Sequence, residues 1–145
     1  MCQKFECFLY LIQIFDFHQR PVLSCAFQDP IHVWSGCLDG KLKSFDINSN
    51  RESVIGMHEN TIRCIEFSNE INAVVTGSWD GTVKIWDART NSCTGTYTQP
   101  DKVYTMSLAG EKLVVGTASR KVNKAENTAR RYFILHSISF PGNFY

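Results

Sequence analysis

Apolar residues along this chain fall in short runs, bounded by Asp, Asn, Gly and Pro. In the best-defined stretch that pattern predicts strands over 61–67, 72–78, 82–87 and 93–98. Asp80-Gly81 sits between two of these runs and signals a tight hairpin, because glycine takes positive φ at little steric cost. Asn69-Glu70 and Arg89-Thr90-Asn91 supply the other breaks. Ala73-Val74-Val75 and Val33-Trp34 are continuous rather than alternating, the mark of strands buried on both faces, as in sheets stacked face to face.

The pattern repeats. His18-Gln-Arg-Pro-Val-Leu-Ser-Cys-Ala-Phe27 aligns with His58-Glu-Asn-Thr-Ile-Arg-Cys-Ile-Glu-Phe67 at a spacing of about forty residues. Ser35-Gly36-Cys-Leu-Asp39-Gly40 through Phe45-Asp46 then aligns with Thr76-Gly77-Ser-Trp-Asp80-Gly81 through Trp86-Asp87. A third copy starts at Val103 and continues through Lys112-Leu-Val-Val-Gly116-Thr117, but fades near Val122. The Trp-Asp pair would there fall on Ala125-Glu126. Short strands at even spacing, with a Trp-Asp signature every ~40–45 residues, predict an all-β fold: a partial WD-repeat β-propeller of two to three four-stranded blades.

Composition narrows the function. The chain has 145 residues, with 15 Lys plus Arg against 14 Asp plus Glu, a net charge of +1. That balance argues against direct nucleic-acid binding and against an anionic membrane surface. The 43% hydrophobic content excludes intrinsic disorder. The 6 cysteines are scattered, with no CxxC pair and no His at zinc-ligand spacing, so neither a metal site nor a disulfide framework is expected. Cys25 and Cys64 read as small core hydrophobes. The apolar run from Cys7 to Phe15 is too short for a membrane span and lacks a cleavage site, so it reads as a strand rather than a secretory signal.

His58, Thr76, Asp80 and Trp86 have the residue types of a nucleophilic triad. The stronger reading is structural: Asp80 accepts from His58, His58 bonds Thr76, and Thr76 accepts the Trp86 indole N–H. Such a chain satisfies polar groups that otherwise cost ~1–3 kcal/mol each when buried. The first copy keeps His18, Ser35 and Asp39 but has Phe45 for the Trp. The third has Val115 and Ser119 at the Thr and Asp positions. A device repeated with losses is structural. No catalytic residue, cofactor or metal is expected.

These strings resemble the WD-repeat family. Asp29-Pro30, His32-x-Trp34-Ser35-Gly36, Thr76-Gly-Ser-Trp-Asp-Gly-Thr-Val-Lys-x-Trp-Asp-x-Arg-Thr90 and Gln99-Pro-x-Lys-Val-Tyr-Thr105 are, more narrowly, similar to its spindle-checkpoint propellers. The resemblance spans 18–122, the propeller fragment; 1–17 is a divergent N-terminal segment, read as an outer strand, and 123–145 a divergent tail. It implies a truncated form of a seven-bladed, non-enzymatic scaffold at kinetochores, in nucleus and cytoplasm. Such a scaffold binds a short segment of the checkpoint kinase and of its kinase-like relative, and docks on a kinetochore scaffold. Two alternatives are a nuclear-export propeller that binds nucleoporins and a substrate receptor of a cullin-based ubiquitin ligase. A full ring needs about 290 residues, twice those present, so blade faces carrying Val33, Val74, Val114 and Val115 are expected to stand open.

Five residues are candidates for partner contact. Trp79, beside the hairpin Asp80, suits a peptide anchor, and equally suits packing against the neighbouring blade. Arg63, Lys102 and Tyr104 begin inner strands and suit an acidic peptide, a solvated surface being the plainer reading of each. Arg89 completes the Trp-Asp-x-Arg string that ligase receptors use. Arg120, Lys121, Lys124, Arg130 and Arg131 read as a solvated basic tail, and the apolar 131–135 and 140–144 as segments able to cover an open blade face.

Overall fold

The computed structural model describes residues 20–110, 112–120 and 131–139, with side chains as far as 118. His18, segment 1–17, the Cys7–Phe15 run, Lys121, Lys124, Ala125-Glu126, Arg130 and 140–145 lie outside the described residues, as does the side chain of Ser119. Strands β1 (Val22–Phe27), β2 (His32–Cys37), β3 (Lys41–Asp46) and β4 (Arg51–Met57) form one antiparallel sheet in chain order. Strands β5 (Ile62–Ser68), β6 (Ala73–Ser78), β7 (Thr82–Asp87) and β8 (Ser92–Thr98) form a second with the same order. A third holds β9 (Val103–Ala109), β10 (Lys112–Arg120) and β11 (Arg131–Ser139), ordered β11–β10–β9. The described structure is all-β, a partial propeller.

Turn chemistry sets the strand ends. Gly40 and Gly81 take φ of 80° and 79° and close matching hairpins, with N–H donating to the carbonyls of Cys37 at 3.1 Å and Ser78 at 3.2 Å. Asn72 has φ 47°, so β6 begins one residue later than the apolar run suggests. Each first strand carries a bulge near its start: Val22/Ser24, Ile62/Cys64 and, across β9–β10, Gly116/Thr117. The same irregularity at one point in all three copies keeps the following residues in one register.

The sheets stack through two apolar interfaces. Trp34, Leu42, Ile62, Ile65, Val74 and Trp86 fill the first. Val75, Val83, Ile85, Val103, Met106, Leu113 and Val115 fill the second, with Ala73. Val74 and Val75 are adjacent, point to opposite faces and are both 0% exposed, so the continuous apolar run serves two interfaces at once. Gly36 and Gly77 are the notches that let the sheets close. A Cβ at Gly36 would lie 2.4 Å from Ile62, and one at Gly77 would lie 2.6 Å from Val103.

Two expectations need correction. Val33, Val74 and Val115 do not line open faces. Val74 and Val115 point back into the interface with the preceding sheet, and Val33 is buried with Val22, Cys37 and Phe45. Only Val114 of the four is exposed, at 38%. Second, 131–139 does not lie across a blade face but pairs with β10 through nine antiparallel residue pairs, from Lys112↔Ser139 to Arg120↔Arg131. A strand edge satisfies backbone N–H and C=O groups, which face packing leaves unpaired.

Candidate functional site

The hairpins at 38–40 and 79–81 and the connections 58–61 and 99–102 share one edge of the stack. His58 N–H donates to the Gly40 carbonyl at 2.9 Å, Trp79 N–H to Thr61 at 3.0 Å and Gln99 N–H to Gly81 at 2.7 Å. Each loop is thereby tied to its neighbour. Position along that edge follows from strand register, not from loop sequence.

Beneath it lies a buried polar chain. The Trp86 indole N–H donates to Thr76 Oγ1 at 2.8 Å, and Thr76 Oγ1 lies 2.7 Å from His58 Nε2. The Lys84 carbonyl, the other acceptor near the Thr76 hydroxyl, is farther away at 3.4 Å. Thr76 O–H therefore donates to His58 Nε2, and His58 carries its proton on Nδ1, 2.9 Å from Asp80 Oδ2. Burial holds the His58 pKa below its ordinary 6.5, against the pull of Asp80, so the ring is neutral. Burial opposes the Asp80 charge, but the bonds from Thr82 and the nearby His58 outweigh it and keep the carboxyl below its ordinary value.

Thr82 and Glu59 complete the chain, and no motif reading had singled them out. Asp80 Oδ1 accepts the Thr82 N–H at 2.8 Å and its hydroxyl at 2.6 Å, while Asp80 Oδ2 also accepts the Glu59 N–H at 3.1 Å. The Asp-Gly-Thr string was the available signal, since Asp bonds backbone two residues on in an Asx turn. Thr76 is fully buried and His58 nearly so, and every lone pair of Asp80 is engaged. A hydroxyl with no path to solvent cannot attack a substrate; this cluster braces the sheet.

The first sheet keeps the frame with different fittings. Ser35 is buried, but Asp39 is surface-exposed, accepting the Lys41 N–H at 3.0 Å and pairing with Lys41 Nζ at 3.5 Å. The Phe45 side chain carries no N–H donor. Trp34 instead donates to Gln28 Oε1 at 3.1 Å. Of the cysteines, burial pushes the Cys37 thiol up to about 11 and the Cys64 thiol up to about 12, so neither supplies a thiolate near neutral pH. Among the described residues no group of His, Cys, Asp and Glu is placed to hold a metal ion, and no helix is long and apolar enough to cross a membrane.

Three partner-contact candidates come together on the loop edge. The Trp79 and Tyr104 rings stand 6.0 Å apart, and Lys102 Nζ lies 5.9 Å from the Trp79 ring centre. Trp79 is half-buried, so it packs on the next sheet and still presents a face. Its Nε1 is buried with no hydrogen-bond partner. Arg63, half-buried on β5, sits toward the same edge. Arg89 does not join them. It is exposed in the β7–β8 turn at the opposite edge, its N–H on Asp87 Oδ1 at 2.8 Å.

Residues 50–87 match the family model described as WD domain, G-beta repeat. The chain is 44% identical over 111 residues to the mitotic checkpoint protein BUB3.1 of Arabidopsis thaliana, covering 73% of this chain and 33% of that one. It is 36% identical over 109 residues to the poly(A)+ RNA export protein of Schizosaccharomyces pombe, covering 72% and 31%. The WD40 β-propeller domain of Doa1 superposes with a TM-score of 0.65 at 24% identity over 69% of this chain and 34% of that one, a likeness of fold. The chain thus spans about a third of the length of the curated relatives it matches. With two four-stranded sheets, a strand ending in Trp86-Asp87 and the His58–Thr76–Trp86 chain beneath its loops, residues 50–87 form a WD repeat and the chain is similar to WD-repeat propellers.

Proposed function

We propose that this chain is a non-enzymatic protein-binding scaffold of the mitotic spindle checkpoint, working at kinetochores and found in nucleus and cytoplasm. Its loop edge takes a short acidic segment of the checkpoint kinase or of its kinase-like relative, and its wider surface meets a kinetochore scaffold. One observation carries the reading: Trp79, Tyr104 and Lys102, from two adjacent sheets, form a single aromatic and cationic patch on that edge. An aromatic plane flanked by an ammonium group recognises a carboxylate-bearing peptide by charge and by apolar contact together. The similarity to checkpoint proteins supports the cellular setting.

The export reading has support of its own, from the similarity to the RNA export protein. Titrating the full chain by calorimetry against acidic peptides from checkpoint kinases and from nucleoporins separates the two. Trp79→Ala and Lys102→Glu should each weaken the preferred peptide at least about tenfold. Binding that neither substitution alters would sink the site. The ligase reading requires an adaptor pull-down that Arg89→Ala abolishes, at the other edge of the stack.

A further inference from the structure

The third sheet ends differently from the other two. The fourth strands β4 and β8 close the first and second sheets with mostly exposed residues: Arg51, Glu52 and Ser53 open β4, and Ser92, Thr94, Thr96 and Thr98 run through β8. Strands of that composition blunt an edge. Strand β11 holds the third place in its sheet, equivalent to β3 and β7, and among the described residues nothing pairs with its far side. Its sequence, Arg-Tyr-Phe-Ile-Leu-His-Ser-Ile-Ser, is that of an interior strand. At 9 residues it is also longer than β3 or β7, so among the described residues its free edge runs about 30 Å.

We propose that this edge pairs with β11 of a second copy of the chain, antiparallel about a two-fold axis at Leu135. The sequence is self-complementary in that register. Arg131, the only Lys, Arg, Asp or Glu in the strand, falls opposite Ser139, Tyr132 opposite Ile138, Phe133 opposite Ser137, and Leu135 opposite itself. All 9 residues are paired and no two like charges meet. Shifting the axis by one residue to His136 or Ile134 leaves residues unpaired at the strand end. The interface is isologous, so it closes at two copies instead of growing into a fibre. Strand β9 lies on the far side of the third sheet from β11, so pairing leaves the Trp79–Tyr104–Lys102 patch of each copy uncovered.

Light scattering after size exclusion, on the full chain over a dilution series, tests the pairing. The expected mass is twice 16.5 kDa at high concentration, falling to 16.5 kDa on dilution. Leu135→Lys sets two ammonium groups face to face at the axis and should leave only the single-copy mass. A background of Cys2→Ser, Cys7→Ser and Cys93→Ser carrying Leu135→Cys should cross-link under mild oxidation, and the same background carrying Arg131→Cys should not. This second arm stays informative even where Leu135→Lys fails to fold. A chain of single-copy mass at every concentration overturns the proposal. So do an open-ended series of larger species, a two-copy mass that Leu135→Lys leaves intact, and equal cross-linking by both cysteine variants.

Discussion

The first and second sheets have the same strand order, the same bulge position and the same glycine notch, yet differ at their polar centres. In the second, Asp80 is 7% exposed at its side chain and gathers Thr82, Glu59 and His58, while Thr76 bridges His58 to Trp86. In the first, the equivalent Asp39 is 29% exposed and makes an ion pair with Lys41, the residue standing where Thr82 stands. Phe45 replaces the indole donor, and Trp34 supplies bulk where the second sheet has Val75. The blade shape therefore does not depend on the complete chain of hydrogen bonds. It follows from two-faced apolar strands and the Gly36 and Gly77 notches, while the buried chain fixes one sheet more firmly.

The largest contrast is expected from Thr76→Val. The change keeps shape but strands the Trp86 N–H and the His58 Nε2, two buried groups at ~1–3 kcal/mol each, so urea unfolding should show a loss of about 2–6 kcal/mol. A loss under ~1 kcal/mol would mean that water reaches this cluster. Next comes a matched pair. Asp80→Ala takes the acceptor from the Glu59 and Thr82 N–H groups and leaves the His58 Nδ1–H only Thr82 Oγ1, at 3.0 Å, so it should cost about 2–3 kcal/mol, whereas Asp39→Ala gives up an exposed ion pair worth about 0–1 kcal/mol. Equal losses for the two would erase the distinction between the sheets.

Much of this was legible in the sequence, for a physical reason. The repeat of about forty residues fixes strand count and order, because each copy must bury the same two faces. His58, Thr76, Asp80 and Trp86 were identifiable because a buried polar set at fixed spacing requires mutual partners. Thr82 and Glu59 were not, since their part is played by a short hydroxyl and a backbone N–H that no motif marks. The burial of Val33, Val74 and Val115 is not legible in the repeat count, which does not say toward which sheet each side chain points. Strand register instead aims Val74 and Val115 back at the preceding sheet. Strand β11 was missed because it carries no Trp-Asp signature, and edge pairing needs only backbone.

Acid separates the two sheets more gently. Burial depresses the folded pKa of His58 below 6.5, so the unfolded chain takes up a proton there that the folded chain refuses. The His58 contribution is complete above about pH 6.5 and declines as pH falls toward the folded value. The contribution of Asp80, whose folded pKa is also depressed, is complete above 3.8 and is lost lower still. One proton limits the His58 slope to about 1.4 kcal/mol per pH unit. Unfolding followed from about pH 7 to about pH 5 should show that decline, and His58→Asn should flatten it. A decline of equal slope in His58→Asn would assign it to another group.

The smallest contrast concerns two lysines in register. Lys84 Nζ donates to the Met57 carbonyl at 2.9 Å, tying the second sheet to the first, and stands 5.8 Å from the Trp86 ring centre. Lys43 Nζ forks onto both Glu52 oxygens at 3.2 and 3.1 Å within its own sheet. Lys84→Met keeps the stem packed and loses one bond between sheets, about 0.5–1.5 kcal/mol, nearly independent of salt because the acceptor is a neutral carbonyl. The pair lost in Lys43→Met is ionic and partly buried, so its effect should shrink but not vanish between ~0.1 and ~1 M salt, as the screening length drops from ~10 to ~3 Å. Were salt to abolish the Lys84 effect instead, the charge on Lys84, and not its bond across the interface, would be what joins the two sheets.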